Sequence, residues 1–225
     1  VRRDPWLFGR GSVDDGYGGY LCATSIRLLQ EAGVSHPRCT LIIETCEESG
    51  SFDLPPYLEE LTDQLGDPDM GVVMDSGGPD YDHVWMTEAL RGLVSGTLSV
   101  KVSHEGIHSG NSGGSIPSSF RIQRILLDRV EDSATGRVLV PEMHIEIPQE
   151  VRDKAIALRE VVGNSIWEQF PTIDSLRQAS ETTEAMIVAM NWEPTLSIIG
   201  ADGLPSVQVA GNVLRTNTDL KLSFR

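Results

Sequence analysis

The chain has 225 residues, of which 40% are hydrophobic, and this size and composition suit one large or two smaller folded domains. Its 33 acidic residues outnumber its 18 basic residues, and the formal net charge at pH 7 is −15. So acidic a surface repels phosphate backbones, which argues against a nucleic-acid partner. No apolar run reaches the roughly 18–20 residues that span a bilayer, so we expect no membrane partner either.

The three cysteines, Cys22, Cys39 and Cys46, form an odd set without a CxxC spacing. Such a set is typical of reduced thiols and predicts a cytoplasmic protein. The chain also begins at Val1, without an initiator methionine, and stops at Arg225 within an alternating pattern. We therefore expect the sequence to be an internal fragment of a longer protein.

An acidic loop precedes the first predicted helix. Residues 9–16 place Asp14 and Asp15 between glycines, and turns rich in Gly and Asp are usually just solvated. After this loop, apolar residues at helical spacing predict a helix over 17–32, with Gly33 as its C-cap. The two carboxylates are therefore predicted to lie at the start of a helix.

Two further acidic stretches follow apolar runs. Residues 39–43 and 70–74 are continuous and apolar, which is typical of strands covered on both faces of an α/β sheet. The first run leads into Glu47 and Glu48, and the second ends at Asp75. Ligands bind outside the carboxyl ends of the strands in open α/β sheets, so these acidic residues are predicted to lie near one crevice.

The convergence of Asp14, Glu47, Glu48 and Asp75 would bring four carboxylates together. Carboxylates this crowded repel one another unless a cation or a proton neutralises them. Oxygen ligands suit hard or borderline divalent ions, and added histidine would favour zinc. The sequence therefore predicts a divalent metal site.

The second half of the chain changes character. Residues 97–102 alternate as a half-exposed strand does, and a loop rich in Gly and Ser follows over 106–117. A second alternating strand is predicted over 220–225. Helices are predicted over 118–130, which is amphipathic, and over 149–162. In the first half, a further helix is predicted over 55–65, with Pro at its start and Gly66 beyond its end.

Three acidic motifs in this order carry a family resemblance. Gly9-Arg10-Gly11 with Asp14-Asp15, then Glu47 to Ser51, then Asp75, resemble the dinuclear zinc metallopeptidases. That family includes carnosinase-like dipeptidases, aminoacylases, glutamate carboxypeptidases, and acetylornithine and succinyl-diaminopimelate deacylases. The Glu-Glu-Ser-Gly-Ser form is most similar to the carnosinase-like branch.

The resemblance implies an α/β fold in two domains. Residues 1–91 would form the N-terminal part of a catalytic domain with three α/β/α layers. Residues 92–225 would form an inserted α+β lid and dimerisation domain, truncated at its C-terminus. Both domains would be incomplete, with the boundary near Arg91, and the protein would be a homodimer through the lid.

The resemblance also assigns roles to the acidic residues. Asp14 matches the carboxylate that bridges two Zn²⁺ ions, which share a bridging water; Mn²⁺ or Co²⁺ could replace zinc. Glu48 and Asp75 match terminal ligands, one on each metal. Glu47 matches the general base, which takes a proton from the water and passes it to the leaving amine.

Three residues of the second half match other parts of the family's site. His108, in a His-Ser-Gly sequence, resembles the lid histidine that reaches the partner subunit's site and stabilises the oxyanion. Arg225 resembles the lid arginine that grips the substrate carboxylate, a task that suits a forked guanidinium. Asn212, in Gly211-Asn212-Val213, is a further candidate for a polar substrate contact. Cys46, beside the general base, would be an alternative nucleophile, but no histidine is placed to activate it.

The sequence departs from the family pattern in two respects. Gly16 stands where the family usually has a lysine that is not a metal ligand. The family's first histidine ligand lies upstream of the acidic loop and its last near the far end of the catalytic domain, and neither region is in this sequence. We therefore expect the fragment alone to be inactive, to bind zinc weakly and to leave apolar surface uncovered.

The predicted function is zinc-dependent hydrolysis of a peptide or amide bond in a small, dipeptide-like substrate. One alternative is an N-acyl-amino-acid deacylase, and another is a non-catalytic relative that acts as a dimerisation or regulatory domain. A calcium-binding protein is a third alternative. Residues 14–16 lack the alternating ligands and closing Glu of a helix–loop–helix calcium site, so this alternative ranks last.

Overall fold

The structure is a computed structural model that describes residues 2–12, 14–80 and 82–225. The chain forms two compact units, residues 1–78 and residues 79–225. The predicted domain boundary near Arg91 lies within the second unit, and the assignment of the two regions to a catalytic and a lid domain stays a prediction. No helix in the described part of the chain is long and apolar enough to cross a membrane.

The first unit is built from short helices, one small hairpin and extended segments. The hairpin strands β1 and β2 pair in antiparallel fashion. The elements in chain order are β1 (Arg2–Arg3), β2 (Trp6–Leu7), α1 (Gly18–Glu31), a 3₁₀ turn (Glu47–Ser49), α2 (Leu54–Glu60) and α3 (Thr62–Leu65).

Helix α1 confirms the helix predicted over 17–32. It ends before Gly33, which has a positive φ of 68° and whose N–H donates to the carbonyl of Gln30 over 3.1 Å. Glycine adopts this left-handed conformation without the steric cost of a Cβ, so it terminates the helix as predicted.

The helix predicted over 55–65 is instead two helices, α2 and α3, that meet at Leu61. The hydroxyl of Thr62 donates to the carbonyls of Leu58 and Glu59, over 3.1 and 2.8 Å. A threonine side chain that bonds to preceding carbonyls competes with the regular backbone pattern. The prediction of one continuous helix was therefore wrong.

The two buried strands predicted over 39–43 and 70–74 are not found. Neither segment belongs to a strand in the described part of the chain, and the side chains of Ile43 and Val73 are 70% and 85% exposed. An apolar strand becomes buried only when neighbouring strands and helices cover both of its faces. The described residues of the first unit provide no such cover, which confirms the prediction of open apolar surface.

The second unit contains most of the regular structure. Its strands are β3 (Val94–Lys101), β4 (Ile107–His108), β5 (Leu196–Asp202), β6 (Val213–Leu214) and β7 (Asn217–Phe224). Its helices are α4 (Ser109–Ser112), α5 (Ser119–Leu127), α6 (Gln149–Val162), α7 (Ser165–Glu168) and α8 (Thr183–Trp192). Two 3₁₀ turns lie at Pro141–Met143 and Val207–Val209.

Strands β3, β7 and β5 form an antiparallel sheet with β7 in the centre, and α5 is fastened to this sheet by buried polar groups. Gln123 of α5 is fully buried, and its amide donates to the carbonyls of Leu98 and Thr218, over 2.8 and 2.6 Å. The hydroxyls of Ser119 and Thr218 lie 2.7 Å apart. These bonds fix the position of α5 on the sheet, because buried polar groups are costly when unpaired.

A separate apolar core joins α6, α7 and α8. Its buried members are Ala155, Val162, Ile166, Met186, Ile187 and Val188. The predicted helix over 149–162 has the bounds of α6, and the predicted strands over 97–102 and 220–225 overlap β3 and β7. The predicted helix over 118–130 is confirmed as α5, although it is shorter. Helix α8 and strand β5 were not predicted.

Candidate active site

The first acidic loop closes on itself through glycine. The N–H of Gly16 donates to the carbonyl oxygen of Gly11 over 2.8 Å, and Gly11 has a positive φ of 68°. A Cβ added to Gly16 would lie 2.1 Å from that oxygen, which no side chain could tolerate. The closed loop therefore requires glycine at position 16, directly after Asp14 and Asp15.

The first turn of α1 lies against both apolar segments. A Cβ added to Gly18 would lie 3.4 Å from Oδ2 of Asp15 and 3.5 Å from Cβ of Met74, and one added to Gly19 would lie 3.3 Å from Cδ1 of Ile43. The two glycines therefore let the helix approach the ends of both segments closely. Since the other two acidic stretches begin just beyond these ends, the packing brings all three stretches to one region.

The second acidic stretch is a single 3₁₀ turn. Its C-cap, Gly50, has a φ of 101°, and its N–H donates to the carbonyl of Glu47 over 2.8 Å. The N–H groups of Ser49 and Ser51 both donate to the carbonyl of Cys46, over 3.0 and 3.1 Å. This bonding occupies the backbone of the turn and leaves the carboxylates of Glu47 and Glu48 exposed.

The electrostatics of Glu47 connect the acidic stretches to one another. The side chain of Glu47 is exposed, but nearby protein atoms displace part of its water, and this desolvation raises its pKa. The negative charges of Glu48, Asp75, Glu44 and Asp14 raise this pKa further, in that order. The structure thus brings the acidic residues predicted for the site into one electrostatic environment. Glu44 was missed, although it directly follows the apolar run over 39–43.

The carboxylates of the acidic stretches have the charge and the donor atoms of a cation site, but those that the structure describes are not arranged around one position. Within the described residues, no three His, Cys, Asp or Glu side chains are placed so that they could hold a metal ion together. Carboxylates that raise the pKa of a neighbouring acid are stabilised by a divalent cation, which neutralises their repulsion. The proposed ligands therefore fit such an ion by charge and donor type.

Cys46 has the wrong environment for a nucleophile. Its thiol donates to Oε1 of Glu44 over 3.4 Å, and this hydrogen bond is the main cause of a raised pKa, with desolvation second. Because the thiolate is the reactive form, a raised pKa keeps the group inert at neutral pH. The structure supports the sequence argument against a thiol mechanism.

His108 and Asn212 lie together in the second unit. Strand β4 pairs with β6, His108 lies opposite Val213, and the N–H of Ser109 donates to the carbonyl of Asn212 over 2.9 Å. The N–H of Gly110 donates to Nδ1 of His108 over 3.1 Å. In the neutral ring this places the proton on Nε2, so the exposed imidazole has a hydrogen-bond donor to offer.

Arg225 follows the end of β7, and a second arginine lies beside it. The backbone N–H and carbonyl of Arg225 bond to those of Thr195, over 3.0 and 2.8 Å. Nη1 of Arg91 donates to the carbonyl of Glu193 over 3.2 Å and to the hydroxyl of Thr195 over 3.3 Å. Burial lowers the pKa of Arg91, and the positive charge of Arg225 lowers it further. The sequence analysis treated Arg91 only as a boundary marker.

The second unit contains two cavities. One, of about 430 Å³, lies between α6 and the start of α8, and the other, of about 270 Å³, is lined by His144 and Trp192 among others. Neither is lined by a residue predicted for the site, so neither supports the predicted chemistry.

Comparison with known proteins finds dipeptidases and a metallo-carboxypeptidase. No family model matches the chain. The Beta-Ala-His dipeptidase of Rattus norvegicus is 25% identical over 215 residues, which cover 89% of this chain and 41% of that protein. Human carnosine dipeptidase 1 has a structure that is 23% identical, covers all of this chain and 47% of that chain, and gives a TM-score of 0.62.

Two microbial structures are similar as well. The M20 family metallo-carboxypeptidase Sso-CP2 of Sulfolobus solfataricus is 20% identical, with coverage of 78% and 45% of the two chains and a TM-score of 0.54. The di-peptidase Dug1p of Saccharomyces cerevisiae is 21% identical, with coverage of 96% and 45% and the same TM-score. The fold is that of the M20 metallopeptidases.

This metallopeptidase fold confirms the predicted resemblance and the predicted mixture of helix and sheet. The chain spans less than half the length of the relatives that it matches. The roles of Asp14, Glu47, Glu48 and Asp75, and those of the residues in the second unit, stay predictions.

Proposed function

We propose that the chain is part of a metal-dependent hydrolase that cleaves the peptide or amide bond of a small, dipeptide-like substrate. The observation that carries this proposal is that the negative charges of Glu48, Asp75 and Asp14 all act on Glu47. The metallopeptidase fold and the names of the rat, human and yeast relatives, all dipeptidases, support it.

The carboxylates of Asp14, Glu48 and Asp75 would hold two Zn²⁺ ions. Mn²⁺ and Co²⁺ suit the same oxygen donors. When bound, such ions supply positive charge that acidifies water and polarises the scissile carbonyl. The repulsion between these three carboxylates and Glu47 supports the assignment, because a cation removes it.

Glu47 would act as the general base. It would take a proton from the attacking water and later pass that proton to the nitrogen of the leaving amine. Its position directly before Glu48, within reach of the charges of Asp75 and Asp14, supports this role. Its exposed side chain is free to contact a substrate, since the backbone makes the bonds that hold the turn.

The second unit would serve as the lid and dimerisation domain. His108 would donate from Nε2 to the developing oxyanion in the partner subunit's site, and the bond from Gly110 to Nδ1 supports this tautomer. Asn212 and Arg225 would bind the substrate, with the guanidinium of Arg225 on its carboxylate. All three cysteines are free, which supports a cytoplasmic location.

A non-catalytic relative is the second candidate. The observation that favours it is that no three potential metal ligands come together within the described ranges. Such a protein would keep the metallopeptidase shape but act through dimerisation or regulation. An N-acyl-amino-acid deacylase remains the chemical variant of the first proposal, since the same residues would cleave either amide bond.

The test uses the intact protein, expressed at the length of its relatives. We expect about two zinc ions per chain by metal analysis and hydrolysis of β-alanyl-histidine, while the 225-residue chain alone is inactive. N-acetyl amino acids, assayed in parallel, distinguish a deacylase from a dipeptidase. An intact protein that binds no metal and cleaves neither substrate would establish the non-catalytic alternative.

A further inference from the structure

We propose that Arg91 and Arg225 together form one anion-binding site in the second unit, and that this site binds the free carboxylate of the substrate. The inference rests on the proposed function for the identity of the ligand. It adds Arg91, a residue that no sequence motif assigned to the site.

Thr195 connects the two arginines. Its backbone N–H and carbonyl pair with the backbone of Arg225, over 2.8 and 3.0 Å, and its hydroxyl accepts from Nη1 of Arg91 over 3.3 Å. The carbonyl of Glu193 is the second acceptor for that nitrogen, at 3.2 Å. The guanidinium of Arg91 therefore lies on the residue that pairs with Arg225.

The acceptors of Arg91 carry no charge, so its own charge is not neutralised by them. The ion pairs found among the described residues join Arg27, His83, Lys154 and Arg159 to carboxylates, and none of these pairs includes Arg91 or Arg225. This is notable in a chain with 33 acidic and 18 basic residues, where carboxylates are in excess. The charge of Arg225 also lowers the pKa of Arg91.

Two neighbouring guanidinium groups repel each other, and an anion between them removes that repulsion. The forked N–H groups of arginine match the two oxygens of a carboxylate. Arg91 is half-buried and held by two acceptors, so its donors lose little freedom when a ligand binds. Arg225 supplies the second guanidinium of the pair. Inorganic phosphate also presents anionic oxygens to a guanidinium group, and the experiment distinguishes phosphate from a carboxylate.

The test is a titration of the 225-residue chain followed by ¹⁵N NMR of the arginine Nε–Hε signals. The probes are N-acetylglycine, which ends in a carboxylate, N-acetylglycinamide, its neutral analogue, and inorganic phosphate. We expect N-acetylglycine to shift the signals of both Arg91 and Arg225 with one saturation curve. We expect the amide to shift neither signal.

Four variants separate charge from structure. Arg91→Gln and Arg225→Gln should each weaken N-acetylglycine binding by about tenfold or more, the effect expected for hydrogen bonds to a charged group. Arg177→Gln, which removes an exposed arginine of the same unit, should leave binding unchanged. Thr195→Val removes one acceptor of Arg91 but keeps both charges, so it should weaken binding less than Arg91→Gln does.

The outcomes distinguish this inference from the proposed function. If Arg225→Gln abolishes binding and Arg91→Gln does not, Arg91 is not part of the site, while the proposed role of Arg225 stands. If neither variant weakens binding, both the inference and that role are wrong. If phosphate binds and N-acetylglycine does not, the pair is an anion site that does not serve the substrate carboxylate, which overturns the inference.

Discussion

The two units of the chain differ in what they bury. Every buried hydrophobic side chain within the described residues belongs to the second unit, from Val100 of β3 to Leu220 of β7. In the first unit the corresponding apolar side chains are open, and Met70 and Phe52, for example, are 77% and 79% exposed. The only buried residue described there is a glycine, Gly18.

The residues proposed for catalysis by carboxylates lie in the first unit, whereas the packed core lies in the second. The first unit holds the carboxylates proposed for catalysis on loops whose form depends on local bonds, such as that from Gly16 to Gly11. The second unit holds its sheet and its helical core through contacts between residues far apart in sequence. Burial of apolar surface is the main stabilising term in folding. We therefore expect the second unit to be the more stable of the two.

The largest effect concerns the chemistry of the first unit. In the intact protein, Glu47→Gln should reduce kcat by about 10²–10⁴-fold, since it removes the general base but keeps the size of the side chain. Zinc content and substrate binding should not change. Steady-state kinetics and metal analysis measure these quantities, and Glu59→Gln, on α2, is the matched control. Loss of zinc from Glu47→Gln would mean that Glu47 and Glu48 have exchanged roles.

The next effect tests the second unit's part in that chemistry. His108→Ala should lower kcat by about 10²–10³-fold, as the loss of an oxyanion donor does, and leave zinc content unchanged. If His108 acts across a dimer, mixing Glu47→Ala and His108→Ala subunits creates one site with both residues intact. Activity should then partly return after subunit exchange. Confirmed exchange without recovered activity would show that His108 does not act on the partner subunit.

A third effect sharpens the difference in packing. Val188 of α8 is 5% exposed and Val73 is 85% exposed. Val188→Ala should lower the free energy of unfolding by about 1.5–3 kcal/mol, because it removes buried methyl groups and leaves a cavity. The same substitution at Val73 should change it by less than about 0.5 kcal/mol. Urea unfolding of the 225-residue chain measures both, and equal losses would contradict the contrast between the units.

Elements that are determined by nearby residues could be predicted from short sequence patterns. Helix α6 has an apolar periodicity and is followed by Gly163, and its bounds were predicted correctly. Helix α8 was missed because its apolar residues are not arranged as one stripe, although the Thr182 side chain caps it by accepting from Ala185 N–H over 3.2 Å. The predicted strands over 39–43 and 70–74 were wrong because an apolar run cannot reveal whether other segments cover it.

The candidate site shows the same division. Asp14, Glu47, Glu48 and Asp75 were found from motifs that are short and continuous in sequence. Arg91 could not be found in this way, because its bonds reach residues 102 and 104 positions away. A contact of that kind follows from the assembled sheet and leaves no local pattern.

The smallest effect concerns Asp80, near the start of the second unit. Oδ1 of Asp80 accepts from the N–H groups of Asp82 and His83, both over 3.0 Å, and from Nε1 of Trp85 over 3.3 Å. The ring of His83 also lies 2.9 Å from Oδ2. Since Trp85 packs against the helical core, these bonds attach the segment that begins at Asp80 to that core.

Desolvation acts to raise the pKa of Asp80, but the bonds from the His83 side chain, the two backbone N–H groups and Trp85 outweigh it, and the pKa is lowered. A lowered pKa means that the folded state favours the ionised carboxylate. The resulting stability is complete above the ordinary pKa of about 3.9 and is lost as the pH falls through the lowered value.

Asp80→Asn should therefore be less stable than wild type at neutral pH, and the difference should shrink in acid. Tryptophan fluorescence during urea unfolding at several pH values measures this, with Asp82→Asn as the control. If the difference between wild type and Asp80→Asn stays constant with pH, the charge of Asp80 does not hold the segment to the core.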